Sequence, residues 1–346
     1  MTKDNHQRRL PAEWEPQSAV LLAWPHEQTD WSNQLDAARQ TFCAIIQAIS
    51  QFEKVILVVK SCLETESYLA KHQIKLEQIV LFELPCNDTW ARDFGPLCVY
   101  EGGQPLLLDF TFNGWGKKFA ATQDNRLTRS LHAAGAFGTT ACHTLPLVLE
   151  GGSIESDGQG TLLTTSACLL EKNRNPELGQ QAIEMHLREL FGARQILWLD
   201  HGALLGDDTD SHIDTLVRMA PNNSLIFQGC DDPQDEHFPP LAQMRQQLES
   251  FRTFQGQPFR LLELPWPQAC FDEKGARLPA TYANFLVINQ AVLVPVYADP
   301  ADAQALEIIK AAFTGREIIP IDCRSLIQQH GSLHCVTMQL PAGVLP

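Results

Sequence analysis

Pro176-Glu-Leu-Gly-Gln-Gln-Ala-Ile-Glu-Met-His-Leu-Arg-Glu-Leu-Phe191, then Gly192-Ala-Arg-Gln-Ile-Leu-Trp-Leu199, is the stretch that decides the fold. Proline in the first turn and glycine just past the end are helix start and stop signals. The run Gln195–Leu199 that follows is short and rich in β-formers. The pairing returns twice. Pro239–Phe254, with Leu241, Met244, Leu248 and Phe251 at helical spacing, precedes the strand-like Phe259–Leu264. Ala301–Phe313, with Ala305, Ile308 and Ala312, precedes Glu317–Ile321. Upstream, Asn33–Ser50 places Leu35, Ala38, Phe42, Ile45 and Ile49 on one face, Gln123–Ala134 is a weaker helix, and Leu63–His72 a short one. From Pro176 on, the helices recur about every 60 residues without sequence similarity, so the period is structural.

Further β-rich runs include Ala19–Trp24, Lys54–Val59, Gln78–Leu84, Pro105–Phe110, Thr161–Thr165, Phe285–Ile288, Ala291–Val296 and Leu333–Gln339. Ser156–Gly160 and Asn289-Gln290 read as tight turns between paired strands. No linker rich in Gly, Ser or Pro interrupts the chain. These features predict an α/β fold of about five αβ units, one compact domain over residues 1–346.

The 346 residues carry 41 acids against 26 bases, a net charge of −15. That balance argues against nucleic acid or an anionic membrane as partner and suits a cationic substrate. No run approaches the length of a membrane span, and Met1–Arg9 has no apolar run behind it, so no secretory signal is read there. Ten scattered cysteines then read as reduced thiols, and a cytoplasmic location is expected.

Chemistry concentrates in four islands. Gly206–Met219 crowds Asp207, Asp208, Asp210, His212 and Asp214 into a few residues. In an extended chain His212 and Asp214 share one face of a strand, an imidazole beside a carboxylate. The plain alternative is an acidic surface turn feeding a core strand. Read as a calcium loop from Asp208, the segment fails, with Ile213 and Met219 where glycine and glutamate belong. Asn87–Pro96 sets Asp88 and Asp93 beside Trp90 and Arg92, which suits a planar cation unless Asp93 simply pairs with Arg92. Glu150-Gly151-Gly152 ends an apolar strand where the backbone turns or approaches a ligand closely. Cys335, at a junction between loop and strand, is a candidate nucleophile or a structural buried thiol. No zinc-like Cys/His cluster is visible, and neither metal nor cofactor is expected.

Taken in order, these islands and their neighbours resemble one family. They are Pro11–Pro16, Trp24-Pro25, Asn87–Pro96, Phe112-Asn113-x-Trp115-Gly116, Glu150–Ile154, Gly160–Thr165, Asn173–Pro176, His212-Ile213-Asp214 and His334-Cys335. The set spans nearly the whole chain and is similar to agmatine deiminases, with several motifs shared by bacterial peptidylarginine deiminases. The resemblance implies the guanidine-modifying superfamily and its five-bladed, pseudo-symmetric α/β propeller, the pentein fold. It further implies Cys335 as nucleophile, His212 as general acid/base, Glu150 as the residue orienting His212, and Asp93 and Asp214 as the guanidinium clamp. Trp14, Trp90, Trp115 and Asp88 carry over as pocket positions without a firm role. Members commonly have glycine where this chain has His330.

The implied reaction is hydrolysis of agmatine to N-carbamoylputrescine and ammonia through an amidino-cysteine. Peptidylarginine or another guanidine is the alternative substrate, and an amidinotransferase would pass the same intermediate to an amine. A papain-like cysteine hydrolase lacks its local signature here, and a polyamine-binding protein has no need of a thiol. A homodimer is compatible with the sequence.

Overall fold

The computed structural model describes residues 8–345; all but Arg8 and Arg9 of the segment read for a signal lies outside them. Five separate sheets form, and each repeats one connection. An antiparallel strand pair is followed by a helix and then by a third strand parallel to the second. In the first sheet Leu97–Glu101 pairs with Gln104–Thr111, and Asp124–Ala133 leads to Ala141–Val148. In the second, Ile154–Ser156 and Thr161–Thr165 are followed by helix Gln180–Phe191 and strand Gln195–Leu199. The third runs Val217–Ala220, Ser224–Gln228, helix Phe238–Ser250 and Arg260–Leu264. The fourth runs Leu286–Ile288, Ala291–Val296, helix Asp302–Ala312 and Glu317–Asp322. The fifth joins late and early chain: Met338–Pro341 pairs with Gln17–Ala23, helix Leu35–Ile49 follows, and Lys54–Val59 adds in parallel. The fifth sheet ends on Ile79–Glu83, reached through helix Cys62–Lys71.

Five crossover helices therefore serve five sheets, in agreement with the expected pseudo-fivefold layout. The middle strands are continuous apolar runs, Val55–Val59 and Ala291–Pro295 among them, because helices cover one face and neighbouring units the other.

Several expected boundaries move. Helix 180–191 starts four residues after Pro176. Asn175 spends its side chain on the backbone N and O of Val148 (3.0 and 2.8 Å), so 175–178 closes as a turn first. Its end is as read, with Gly192 left-handed at φ 67. Helix 238–250 stops before Phe251, which turns extended to enter the hairpin bridged at Arg252 and Pro258. His212 and Asp214 are not on a strand: His212 caps a 3-10 turn, Ile213–Thr215, and the strand begins only at Val217. Likewise 333–336 is a turn, not strand, and pairing starts at Met338. In both places polar site residues need curved backbone to face one another.

Candidate active site

The segment just before the first strand of each unit carries a polar or ligating side chain. Asp93 lies in the helical turn Ala91–Phe94 before Leu97, and Glu150 and Gly152 precede Ile154. Asp214 precedes Val217, Asn284 precedes Leu286, and Cys335 precedes Met338. Equivalent loops of five units so converge.

Gly152 marks the meeting point. A β-carbon there would lie 2.6 Å from His212 Nδ1, 2.9 Å from Asp93 Oδ1 and 3.1 Å from Asp214 Oδ2. The backbone approaches this closely because Gly151 also passes 2.2 Å (measured to an added β-carbon) from the Arg92 carbonyl oxygen. A Gly152→Ala substitution is therefore expected to cost about 2–3 kcal/mol of stability and over tenfold in kcat/KM. Melting temperature and kinetics check this, and a fully active variant would show that the packing is looser.

Asp93 accepts hydrogen bonds from Trp115 Nε1 (2.9 Å) and the Gly152 amide (3.0 Å). The alternative pairing with Arg92 does not occur, since Arg92 turns away to Glu13 and Gln339. Trp115 reaches Asp93 from a turn with four consecutive positive φ values, 70°, 53°, 78° and 69° for Gly114 to Lys117. Left-handed backbone costs a tryptophan about 1–2 kcal/mol, strain of the kind stored at functional sites.

His212 is buried. Its Nδ1 lies 3.6 Å from Asp93 Oδ1 and its Nε2 lies 3.9 Å from Glu150 Oε2, with no hydrogen-bond partner on Nε2 among the described residues. Burial alone would favour the neutral ring, but Asp93 and then Cys168 and Glu150 outweigh it and hold the pKa well above the usual histidine value. Glu150 is kept ionised against burial by His212 and by Arg174, whose Nε contacts both carboxylate oxygens at 3.0 Å. Arg174 also grips Asp210 (2.6 Å) and the Thr209 carbonyl (2.8 Å), fixing the loop before His212.

Cys335 Sγ lies 3.3 Å from Asn284 Oδ1 and 3.8 Å from Asp214 Oδ2. Burial, then Asp214 and Asp93, push the thiol well above its ordinary value. Asp214 is kept ionised against burial mainly by His334, whose Nδ1 donates to Asp214 Oδ2 at 2.7 Å; Asp214 Oδ1 has no partner among the described residues. His334 in turn meets Glu13 (2.7 Å), which pairs with Arg218.

A cavity of about 900 Å³, counting its open mouth, leads to this cluster. Cys335, Asp93, Asp88, Trp90 and Trp115 line it, while His212, Asp214 and Glu150 sit one layer deeper. Trp14 is not in this lining; it lines a separate cavity with Asn222, Asn223 and Phe259.

Residues that sequence reasoning gave no role include Asn284, Arg174, His334, Glu13 and Cys168. Asn284 had a readable signal, a lone amide inside the apolar run Tyr282–Ile288. Two groups of ligating side chains invisible in the linear spacing also converge: Glu150, Cys168 and His212, and Glu13, Glu155 and His334. In each, an arginine occupies the place of a neutralising cation, Arg174 in the first and Arg218 in the second. The ten cysteines are all free. Among the described residues no helix is long and apolar enough to cross a membrane.

Five αβ units bringing a thiol, an imidazole and carboxylates together define an enzyme of the guanidine-modifying α/β fold class, which its structural neighbours share. The model of the Porphyromonas-type peptidyl-arginine deiminase family matches residues 9–341, and the chain belongs to that family. It is 49% identical to a crystal structure from Porphyromonas gingivalis provisionally named an arginine deiminase (TM-score 0.92, 97% of this chain and 99% of that one). It is 37% identical to a C. jejuni agmatine deiminase variant solved with substrate bound (TM-score 0.92, 100% and 99%). A Vibrio parahaemolyticus relative, provisionally named an agmatine deiminase, is 33% identical over 352 residues, covering 96% of each chain.

Proposed function

We propose that the protein hydrolyses the guanidine group of agmatine to N-carbamoylputrescine and ammonia. The observation that carries this is the charge of the cavity: Asp30, Asp88, Asp93, Asp124 and Asp208 line it, and among the described residues no lysine or arginine does. A substrate with a cation at both ends suits such a lining. The α-carboxylate of free arginine would meet only like charge. The C. jejuni and Vibrio relatives support the same substrate.

In this reading Asp93 and Asp214 clamp the guanidinium and set its carbon over Cys335 Sγ. The resting thiol is neutral, so ionisation awaits the substrate, whose charge offsets the two carboxylates that oppose a thiolate; the thiol proton passes to water and leaves with the ammonia as ammonium, and the thiol is reprotonated from the attacking hydroxyl when sulfur is expelled. Sulfur attacks carbon, and the π electrons of the carbon–nitrogen double bond move to nitrogen. Protonated His212 gives its proton to the departing nitrogen, the carbon–nitrogen bond breaks, and ammonia leaves an amidino-thioether. His212, now neutral, takes a proton from water as its oxygen attacks the same carbon. Collapse expels sulfur and frees the urea product. Overall one water enters and one ammonium leaves.

Ammonia release from agmatine, arginine and a peptide ending in arginine tests the assignment, with agmatine expected to have the highest kcat/KM. The acids make a second demand. Burial and then Asp30 hold Asp88 up at about 7, and burial and Asp207 hold Asp208 at about 6. Carboxyls raised in this way are partly protonated below neutrality and ionise as pH rises. KM for agmatine is therefore expected to fall several-fold from pH 6 to pH 8. A flat KM, or preference for arginine, would overturn the assignment of these carboxylates to an amine tail.

A further inference from the structure

The cavity lining divides by exposure. Cys335, Asp93, Trp90 and Trp115 are buried and form the floor, whereas Asp208, Gln329 and His330 are half-buried and Asp30 and Phe119 exposed, forming the rim. Of these rim residues only His330 has a left-handed backbone, with φ 66. Its Nδ1 donates to the Gly206 carbonyl oxygen at 2.8 Å. That anchor is itself fixed: a β-carbon on Gly206 would lie 2.3 Å from the Arg277 carbonyl oxygen. Gly331 is equally confined, since a β-carbon there would lie 2.2 Å from the Trp90 ring. The ring of His330 thus ties the segment leading to Cys335 to the segment leading to His212, and it does so across the rim.

The bridge stands beside Asp208, two residues beyond Gly206. His330 interacts electrostatically with that carboxyl, as do Asp207 and Lys118. Lys118 Nζ holds the Asp208 carbonyl (2.6 Å) and Asp210 Oδ1 (2.7 Å), so it braces the loop from outside and leaves the Asp208 carboxyl facing the cavity. A tail rising from a guanidinium on the floor leaves between these groups.

We propose that His330 is a specificity-determining residue: its ring spans the rim beside Asp208, admitting a narrow amine-ended chain and obstructing a guanidine attached to a peptide main chain. This deepens the agmatine reading and rests on it. Glycine at the same position would keep the left-handed turn and remove the bridge. Asparagine tolerates that turn and retains a shorter donor.

The test compares kcat/KM for agmatine and for a short peptide ending in arginine in the parent protein, His330→Gly and His330→Asn, each checked for an unchanged melting transition. In the parent, agmatine is expected to be preferred. In His330→Gly the ratio of agmatine to peptide is expected to fall at least about tenfold, through a higher KM for agmatine and new turnover of peptide. His330→Asn is expected to fall between. A ratio within about twofold of the parent in His330→Gly overturns the proposal; if that variant does not fold, an unchanged ratio in His330→Asn does the same. A parent that itself prefers the peptide overturns the agmatine reading instead, so the two failures are distinguishable.

Discussion

Replacing Cys335 with alanine is expected to lower kcat by about 10⁴-fold or more while agmatine still binds within a few-fold of its parent affinity. The expectation follows from the division of labour in the site. In the proposed reading the cation is held by carboxylates and aromatic faces, none of which alanine disturbs, whereas the bond-making atom is the sulfur alone. Mass spectrometry of protein quenched during turnover is expected to show an amidino adduct on the parent and none on Cys335→Ala. An adduct on the variant, or residual turnover above about one per cent, would place the nucleophile elsewhere. Among the free thiols Cys168 is the one to examine next, since it groups with Glu150 and His212.

Asp93→Asn is expected to be nearly as damaging, with kcat/KM down about 10³-fold, because one side chain serves two purposes. In the proposed reaction it clamps the guanidinium, and it is the strongest influence holding the His212 pKa up against burial. His212 has a raised pKa, so its acid form persists to higher pH than in an ordinary histidine. Removing the neighbouring negative charge lowers that pKa. The alkaline limb of the kcat profile should then move to lower pH, provided the acid form of His212 is what expels ammonia. Asparagine keeps the shape but has one oxygen, so it can accept from only one of Trp115 and Gly152, which bond different carboxylate oxygens of Asp93. That lost hydrogen bond adds to the loss of rate, whereas displacement of the alkaline limb reports the charge alone; a loss of rate with no displacement would show that Asp93 does not hold His212 protonated.

The five helices were legible because each repeats an apolar residue every third or fourth position against a polar background, as Leu241, Met244 and Leu248 do. All five proved to be the crossover helices of the five sheets. Strand ends were harder. Val217–Ala220 was hidden because acids upstream dominate its reading, and Leu333–Gln339 was overextended because apolar residues in a buried turn look like strand. The four site islands were legible as unusual polar groups interrupting apolar runs. The fifth, Asn284, left a fainter signal and was passed over, since one amide among hydrophobic residues carries no charge and no nucleophile. Its importance rests on position, ahead of the fourth unit's first strand, where its oxygen faces Cys335. Within one motif the outcome divides: Glu13 meets His334 beneath the cluster, whereas its neighbour Trp14 lines a separate cavity.

The fifth sheet is completed by Met338–Pro341 against Gln17–Ala23, three residues beyond Cys335. During translation the ribosome makes one partner near the beginning and the other some three hundred residues later. A nascent chain therefore carries its carboxylates and imidazole long before its sulfur, and the cluster stays incomplete until the late strand docks. A chain stopped ahead of Cys335 would lack both the sulfur and the strand that completes the fifth sheet.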